Sequence, residues 1–273
     1  MKYIKRIVFL ICLCIFLYSS YNLFCIYKEY KQGTDTYDEI STNVNIEKDT
    51  TQEIIPEIVN KKDSKDKKQE KDDKKKYVKL NVDWGKFDTS TVIGWIKIDN
   101  NKIINYPIIQ SQDNEYYLHH LYNGEYNFAG SIFVDYRNDG FNDKHTIIYG
   151  HNMKNGSMFN SIKKYQNEDY ANEHRYIYIA TPDGETHVFY VYSCHLTSAL
   201  GEKDGFNAYQ ISFEKDKDWY KWIKKTQDKS LITSGIEIPN EECNILTLST
   251  CMSRGDKNER CVIHAIEILN KKN

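Results

Sequence analysis

Three residues stand where their chemistry is usable. Cys251 follows the apolar run CNILTLST at residues 243–250 and precedes the polar segment MSRGDKNE. A side chain at the lip of a strand meets substrate while the sheet holds its backbone. A thiol attacks as its thiolate, which a neighbouring imidazole or cation favours. Arg260 lies nine residues further on, where the next apolar run begins. A strand–loop–strand of that length brings it beside Cys251. Eight histidines are present (His119, His120, His145, His151, His174, His187, His195 and His264), and pattern alone selects none of them. His151 is the best placed, because Gly150-His151-Asn152 again follows a strand end. On spacing alone the competing reading stays open, an incidental cysteine with surface His and Arg.

The remaining cysteines read differently. Cys12, Cys14 and Cys25 lie in an apolar N-terminal stretch and act there as small apolar residues. Cys194, Cys243 and Cys261 fall within strand patterns and read as structural. No C-x-x-C and no H-x-x-x-H occurs, so no structural zinc site is expected.

The elements that must position these groups are mainly strands. Apolar, β-branched and aromatic runs predict strands at 92–98, 102–109, 131–135, 145–149, 176–181, 187–195, 243–250 and 260–269. Pro182-Asp183-Gly184 is a turn between two of them. Eight short strands with few helices point to an antiparallel or mixed barrel. Short helical pieces are expected at 83–90, 114–120 and 157–165. The clearest helix runs from about 213 to 228, with Trp219, Trp222, Ile223 and Thr226 on one face and lysines on the other.

The chain of 273 residues has a net charge of −2, which argues against a nucleic-acid protein with a strong basic field. Its composition changes along its length. Residues 1–6 form a basic tail and residues 7–27 carry no charge. A helix of about 20 apolar residues spans a bilayer. Lys2, Lys5 and Arg6 precede the stretch, and Lys28 and Lys31 follow it, which favours a cytoplasmic N-terminus and an uncleaved single-pass signal anchor. Residues 28–76 read as a disordered charged tether. Within it, 33–60 carries seven acids against one base, and 61–76 nine lysines against five acids. Residues 77–273 read as one extracellular globular domain.

The site residues also carry a family resemblance. Thr247-Leu248-Ser249-Thr250-Cys251, with Arg260 opening the next strand, resembles the T-L-x-T-C…R signature of sortases. Tyr149-Gly150-His151-Asn152-Met153 followed by Gly156-Ser157-Met158-Phe159 is similar to the catalytic-histidine segment of class B sortases. So are the blocks from Asp113 to His120 and from Ala129 to Arg137. The blocks keep the family's order and spread over nearly all of 77–269. The loop from Cys251 to Arg260 is about one residue shorter than is typical, and it contains a second cation, Arg254.

The resemblance implies an eight-stranded sortase β-barrel, mainly β, with an N-terminal helix and a long helix between strands 6 and 7. It implies a membrane-tethered cysteine transpeptidase that cuts an NPxTG-like C-terminal sorting signal between Thr and Gly. The cut protein passes through a Cys251 thioester to a cell-wall amine. The expected partners are surface proteins bearing such a signal and peptidoglycan or its lipid-linked precursor. Cys251, His151 and Arg260 would be catalytic. Asn114, Leu118, Ser249 and Thr250 match positions lining the signal-binding groove, and Tyr209 is carried over from the loosely similar loop at 198–212. No metal or organic cofactor is expected, and no acidic loop argues for calcium. The main rival is a membrane-anchored cysteine peptidase that uses water as acceptor; a non-catalytic surface-binding module is the other.

Overall fold

In the computed structural model, residues 2–42, 44–48, 78–236, 243–252 and 258–270 are described. The chain runs α1 (Lys2–Ser41), β1 (Val44–Lys48), β2 (Val78–Val82), β3 (Val92–Ile98), β4 (Asn105–Ile109), β5 (Ile132–Val134), β6 (His145–Tyr149), α2 (Glu168–Glu173), β7 (Tyr176–Ala180), β8 (Thr186–Ser198), β9 (Glu202–Lys203), β10 (Phe206–Asn207), α3 (Asp216–Asp228), β11 (Ile245–Cys251) and β12 (Glu259–Asn270).

Eight of these strands close a mixed barrel in the order β11-β12-β8-β7-β3-β4-β5-β6, with β6 returning to β11. The β4–β5 and β6–β11 pairs are parallel and the rest antiparallel. The expected eight-stranded barrel is therefore present, and α3 lies between its sixth and seventh strands. Period-2 alternation sorts the residues of the strands to two faces. Leu246, Leu248, Cys261, Ile263 and Ala265 join the barrel core. Ile245, Val262 and Ile266 turn the other way and pack under α3 with Trp219, Trp222 and Ile223. The predicted apolar stripe of α3 is thus its buried face. Asp216 and Asp218 in its first turn and Lys225 in its last complement the helix dipole.

Three short helical expectations are corrected to 3₁₀ turns, at Trp84–Lys86, Tyr116–Leu118 and Asn160–Gln166. At the second, the Asp113 carboxylate accepts from the amides of Glu115 and Tyr116, and the turn stops within three residues. The tether is corrected as well. Residues 28–41 continue α1, and 44–48 pair with 78–82 as a two-stranded sheet. Gly33, Tyr37 and Ile40 are buried at helical spacing, with Asp35, Asp38 and Glu39 on the exposed face. Three contacts on a ready-made surface order a segment whose own composition is polar. The rest of the expected tether, 49–76, lies outside the described residues.

Candidate active site

Strand pairing assembles the site. Along β11 and β12, Ser249 faces Val262, Thr250 faces Cys261 and Cys251 faces Arg260. Directly opposed residues share a face, so the thiol and the guanidinium emerge on the same side, the one turned away from the barrel core. On the other flank, β6 runs parallel to β11 with Tyr149 opposite Ser249. The chain leaving β6 therefore delivers Gly150 and His151 beside Thr250 and Cys251. Two bonds lock this junction. Thr250 Oγ1 donates to the Gly150 carbonyl at 2.8 Å, and Asn152 Nδ2 donates to the Cys251 carbonyl at 2.8 Å. Asn152 is in turn held through its Oδ1 by Asn160 Nδ2 at 2.6 Å. Gly150 is required, since a Cβ there would meet Ile132 at 2.5 Å and Phe159 at 2.7 Å.

Cys251, His151 and Arg260 open into one cavity of about 210 Å³. Asn114, Leu118, Ser249 and Thr250 line it as well, together with Phe133, Tyr149 and Ala199. Four of the five expected substrate contacts thus border the cavity. Tyr209 sits behind it: its ring is buried edge-on against Tyr149, and its hydroxyl lies 2.6 Å from Ser249 Oγ. Burial pushes its phenol up to about 12, so it stays a neutral hydrogen-bonding group. Thr250 is almost wholly buried, and its hydroxyl is spent on Gly150. Tyr149 and Asn152 had not been singled out as site residues. Alternation along 145, 147 and 149 would have found Tyr149; Asn152 follows His151 directly but gives no spacing signal of its own.

The electrostatics of His151 follow from its partners. Its Nε2 lies 2.8 Å from the Leu118 carbonyl. A carbonyl only accepts, so Nε2 carries the proton and Nδ1 is the basic atom of the neutral ring. Burial holds its pKa below the ordinary histidine value; the carbonyl opposes this, and His119 and Arg260 add to it. Among the described residues no group of His, Cys, Asp or Glu is arranged to hold a metal ion, and all seven cysteines are free thiols. Arg254 lies outside the described residues.

This geometry joins an intermediate-exposure thiol, a neutral-leaning imidazole and a permanent cation at one strand end, an arrangement suited to acyl transfer. A family model described as "Sortase domain" matches residues 96–268. A sortase B of Listeria monocytogenes is 39% identical over 166 residues, 60% of this chain and 64% of that protein, so less than two thirds of the relative is covered. A sortase B of Staphylococcus aureus is 30% identical over 179 residues, 65% of this chain and 70% of that protein. The X-ray structure of Clostridium perfringens sortase B superposes with a TM-score of 0.59 at 36% identity, covering 65% of this chain and 93% of that one. The chain belongs to the sortase family. Within it, the similarity in sequence and in structure is to class B.

Proposed function

We propose that this chain is a membrane-anchored cysteine transpeptidase that attaches surface proteins to the cell wall. The observation that carries the reading is the residue-for-residue pairing of Cys251 with Arg260, beside the His151 segment, in one cavity. The Cys251 thiolate attacks the carbonyl carbon of the Thr–Gly bond in an NPxTG-like signal. Arg260, which keeps its proton, donates to the developing oxyanion. The bond to glycine breaks as the His151 imidazolium protonates the departing amine, leaving a Thr thioester on Cys251 and a neutral ring. That ring then takes the proton of an incoming cell-wall amine, whose nitrogen displaces the thiolate. Because burial favours neutral His151, the imidazolium arises by taking up the Cys251 proton.

Further support comes from α1, which is long and apolar enough to cross a membrane and whose apolar residues are exposed. It would hold the enzyme at the outer face of the cell membrane, with the N-terminus inside and the sorting-signal protein and the peptidoglycan amine outside. The full chain in detergent, incubated with an NPxTG-type peptide and a nucleophilic amine, tests this. The expected products are the released Gly-terminal fragment and an amine-capped Thr, both lost in Cys251→Ala. Hydrolysis alone at every amine concentration would favour the water-using peptidase instead.

A further inference from the structure

The N-terminal helix does more than reach the barrel: it ends its docked half against the two loops that hold His151. Tyr37 is 4% exposed, and its hydroxyl donates to the Gly130 carbonyl at 2.8 Å and lies 2.9 Å from Ser131 Oγ. Ser131 in turn binds the loop that carries Leu118. Its amide donates to the Tyr117 carbonyl at 2.9 Å and its hydroxyl to the His120 carbonyl at 2.8 Å. Gly130 presses on the same loop. It adopts φ +58°, and a Cβ there would meet the Tyr117 and Leu118 carbonyl oxygens at 2.5 and 2.6 Å. The Leu118 carbonyl is the acceptor for His151 Nε2. Every link from the α1 phenol to the catalytic-site imidazole is therefore a direct contact.

The second loop is reached through the ring. Tyr37 packs edge-on to Tyr106 at 5.2 Å, and Tyr106 accepts from the Met158 amide at 3.0 Å. The next amide, Phe159, donates to the His151 carbonyl at 2.9 Å. One α1 side chain thus steadies both the acceptor of the imidazole and the backbone that bears it. The seating of the helix is specific. Glu29 accepts from the Phe128 amide at 2.9 Å, Tyr30 packs on Phe128, and a Cβ at Gly33 would come within 3.1 Å of Asn127 Oδ1. Tyr37 itself contacts Gly130, Ser131 and Tyr106, and each of the two loops is bonded to one of these residues.

We infer that Tyr37 is a positioning residue for the reaction, acting on His151 through Gly130–Ser131–Leu118 and through Tyr106–Met158, so that the helix that carries the anchor also tunes the catalytic histidine. This rests on the catalytic reading of His151. The Leu118 carbonyl favours the charged ring. Slackening it lowers the share of imidazolium available to the departing amine; apart from His151, of the residues that line the groove only Leu118 lies on this path, and it acts there through its backbone carbonyl rather than its side chain.

The test uses the full chain in detergent micelles with Tyr37→Phe, which deletes the hydroxyl and keeps the ring on Tyr106. The expected result is a fall in kcat of about 10-fold, within the reach of a sub-ångström misplacement, with KM unchanged. The acid limb of the kcat profile and the His151 titration, read by ¹⁵N-histidine NMR, both move to lower pH. The melting temperature is measured alongside, so that a loss of folded enzyme is told apart from a loss of positioning. If kcat, its pH profile and the His151 titration are unchanged in Tyr37→Phe, the inference is overturned. It is overturned equally if kcat falls only in step with the folded fraction while the titration stays put. His151→Asn serves as the separate control: turnover surviving there sinks the catalytic reading itself, whatever Tyr37 does.

Discussion

At the scale of single residues, the site divides its labour by what each group can do with a proton. Arg260 cannot serve as a base, and in the proposed reaction its worth lies in a planar fork that follows an oxygen as charge grows on it. Arg260→Ala is expected to lower kcat/KM by about 10²–10³. Arg260→Lys retains the charge but loses the fork and should recover only part of that, as steady-state kinetics on a fluorogenic signal peptide would report. The same cation also bears on His151, whose pKa it helps to depress, although burial is the larger cause. Arg260→Gln should therefore raise the His151 pKa, the opposite of the shift expected for Tyr37→Phe, and an NMR titration that showed no rise would contradict the pairing of these two groups. Burial holds the His151 pKa below the ordinary histidine value, so the acid limb of kcat/KM should lie below that value too. Asn152 is a further point of sensitivity: Asn152→Ala removes the side-chain donor on the Cys251 carbonyl, while Asn160 Nδ2 keeps its second acceptor, the Met153 carbonyl at 2.8 Å.

At the scale of elements, α3 matters through what it presses into place. Trp222 is buried against the outer face of β11 and β12, and its Nε1 donates to the Asn207 carbonyl at 2.8 Å. Asn207 Oδ1 accepts from the Tyr209 amide at 2.7 Å, so the helix indirectly sets the tyrosine behind the groove. Trp222→Ala should cost about 3–5 kcal/mol in urea unfolding and raise KM for the signal peptide; a stable variant with unchanged KM would show that α3 is packing alone. This helix is legible in the sequence, because Trp219, Trp222 and Ile223, with Thr226, recur on one face at helical spacing. The barrel strands were legible for the same kind of reason, alternation or dense β-branched runs. The α1 extension was not, since Gly33, Tyr37 and Ile40 are a weak stripe until Asn127, Ala129 and Tyr106 supply the facing surface. Apolar spacing over three to seven residues does not separate a 3₁₀ turn from a helix, which is why the short helical pieces resolve only in the structure. At the site, residue types and strand ends pointed to Cys251 and Arg260, whereas His151 stood out from seven other histidines only weakly until β6 was seen to lie parallel to β11.

At the scale of the whole molecule, the stability of the fold is tied to pH by histidines that no longer see water. His145, His195 and His264 are buried between the barrel and α3, with the rings of His195 and His264 stacked 5.0 Å apart and Trp222 edge-on to His264. Their protons can be traced. His145 Nδ1 donates to the Gln210 carbonyl at 2.7 Å, so its Nε2 accepts from Thr247 Oγ1 at 2.6 Å, and that oxygen accepts from His264 Nδ1 at 2.7 Å. The chain is satisfied with every ring neutral, and an added proton finds no acceptor: His264 Nε2 and both nitrogens of His195 are buried without a protein partner among the described residues. Burial accordingly pushes His145 and His195 down to about 4, and His264 well below the ordinary value. For His195, Lys229 and Lys203 act in the same direction. An unfolded chain takes up these protons as pH falls through about 6.5, whereas native His145 and His195 refuse theirs until about 4 and His264 is held down in the same direction. Stability is therefore complete above pH 6.5 and drains away between 6.5 and 4, by an amount on the order of 3 kcal/mol for each of His145 and His195 at the lower end. The buried carboxylate Asp135, held down chiefly by Arg137 against the cost of its burial, adds its loss only below the ordinary carboxylate range, so the two windows are separable. Melting temperature followed from pH 8 to pH 4 should show a plateau and then a decline that starts near 6.5. His195→Phe should flatten that decline, because it removes one proton acceptor from the unfolded chain and two unpaired nitrogens from the folded one. A decline that begins only below pH 4, or one that His195→Phe leaves equally steep, would place the acid sensitivity in the carboxylates instead.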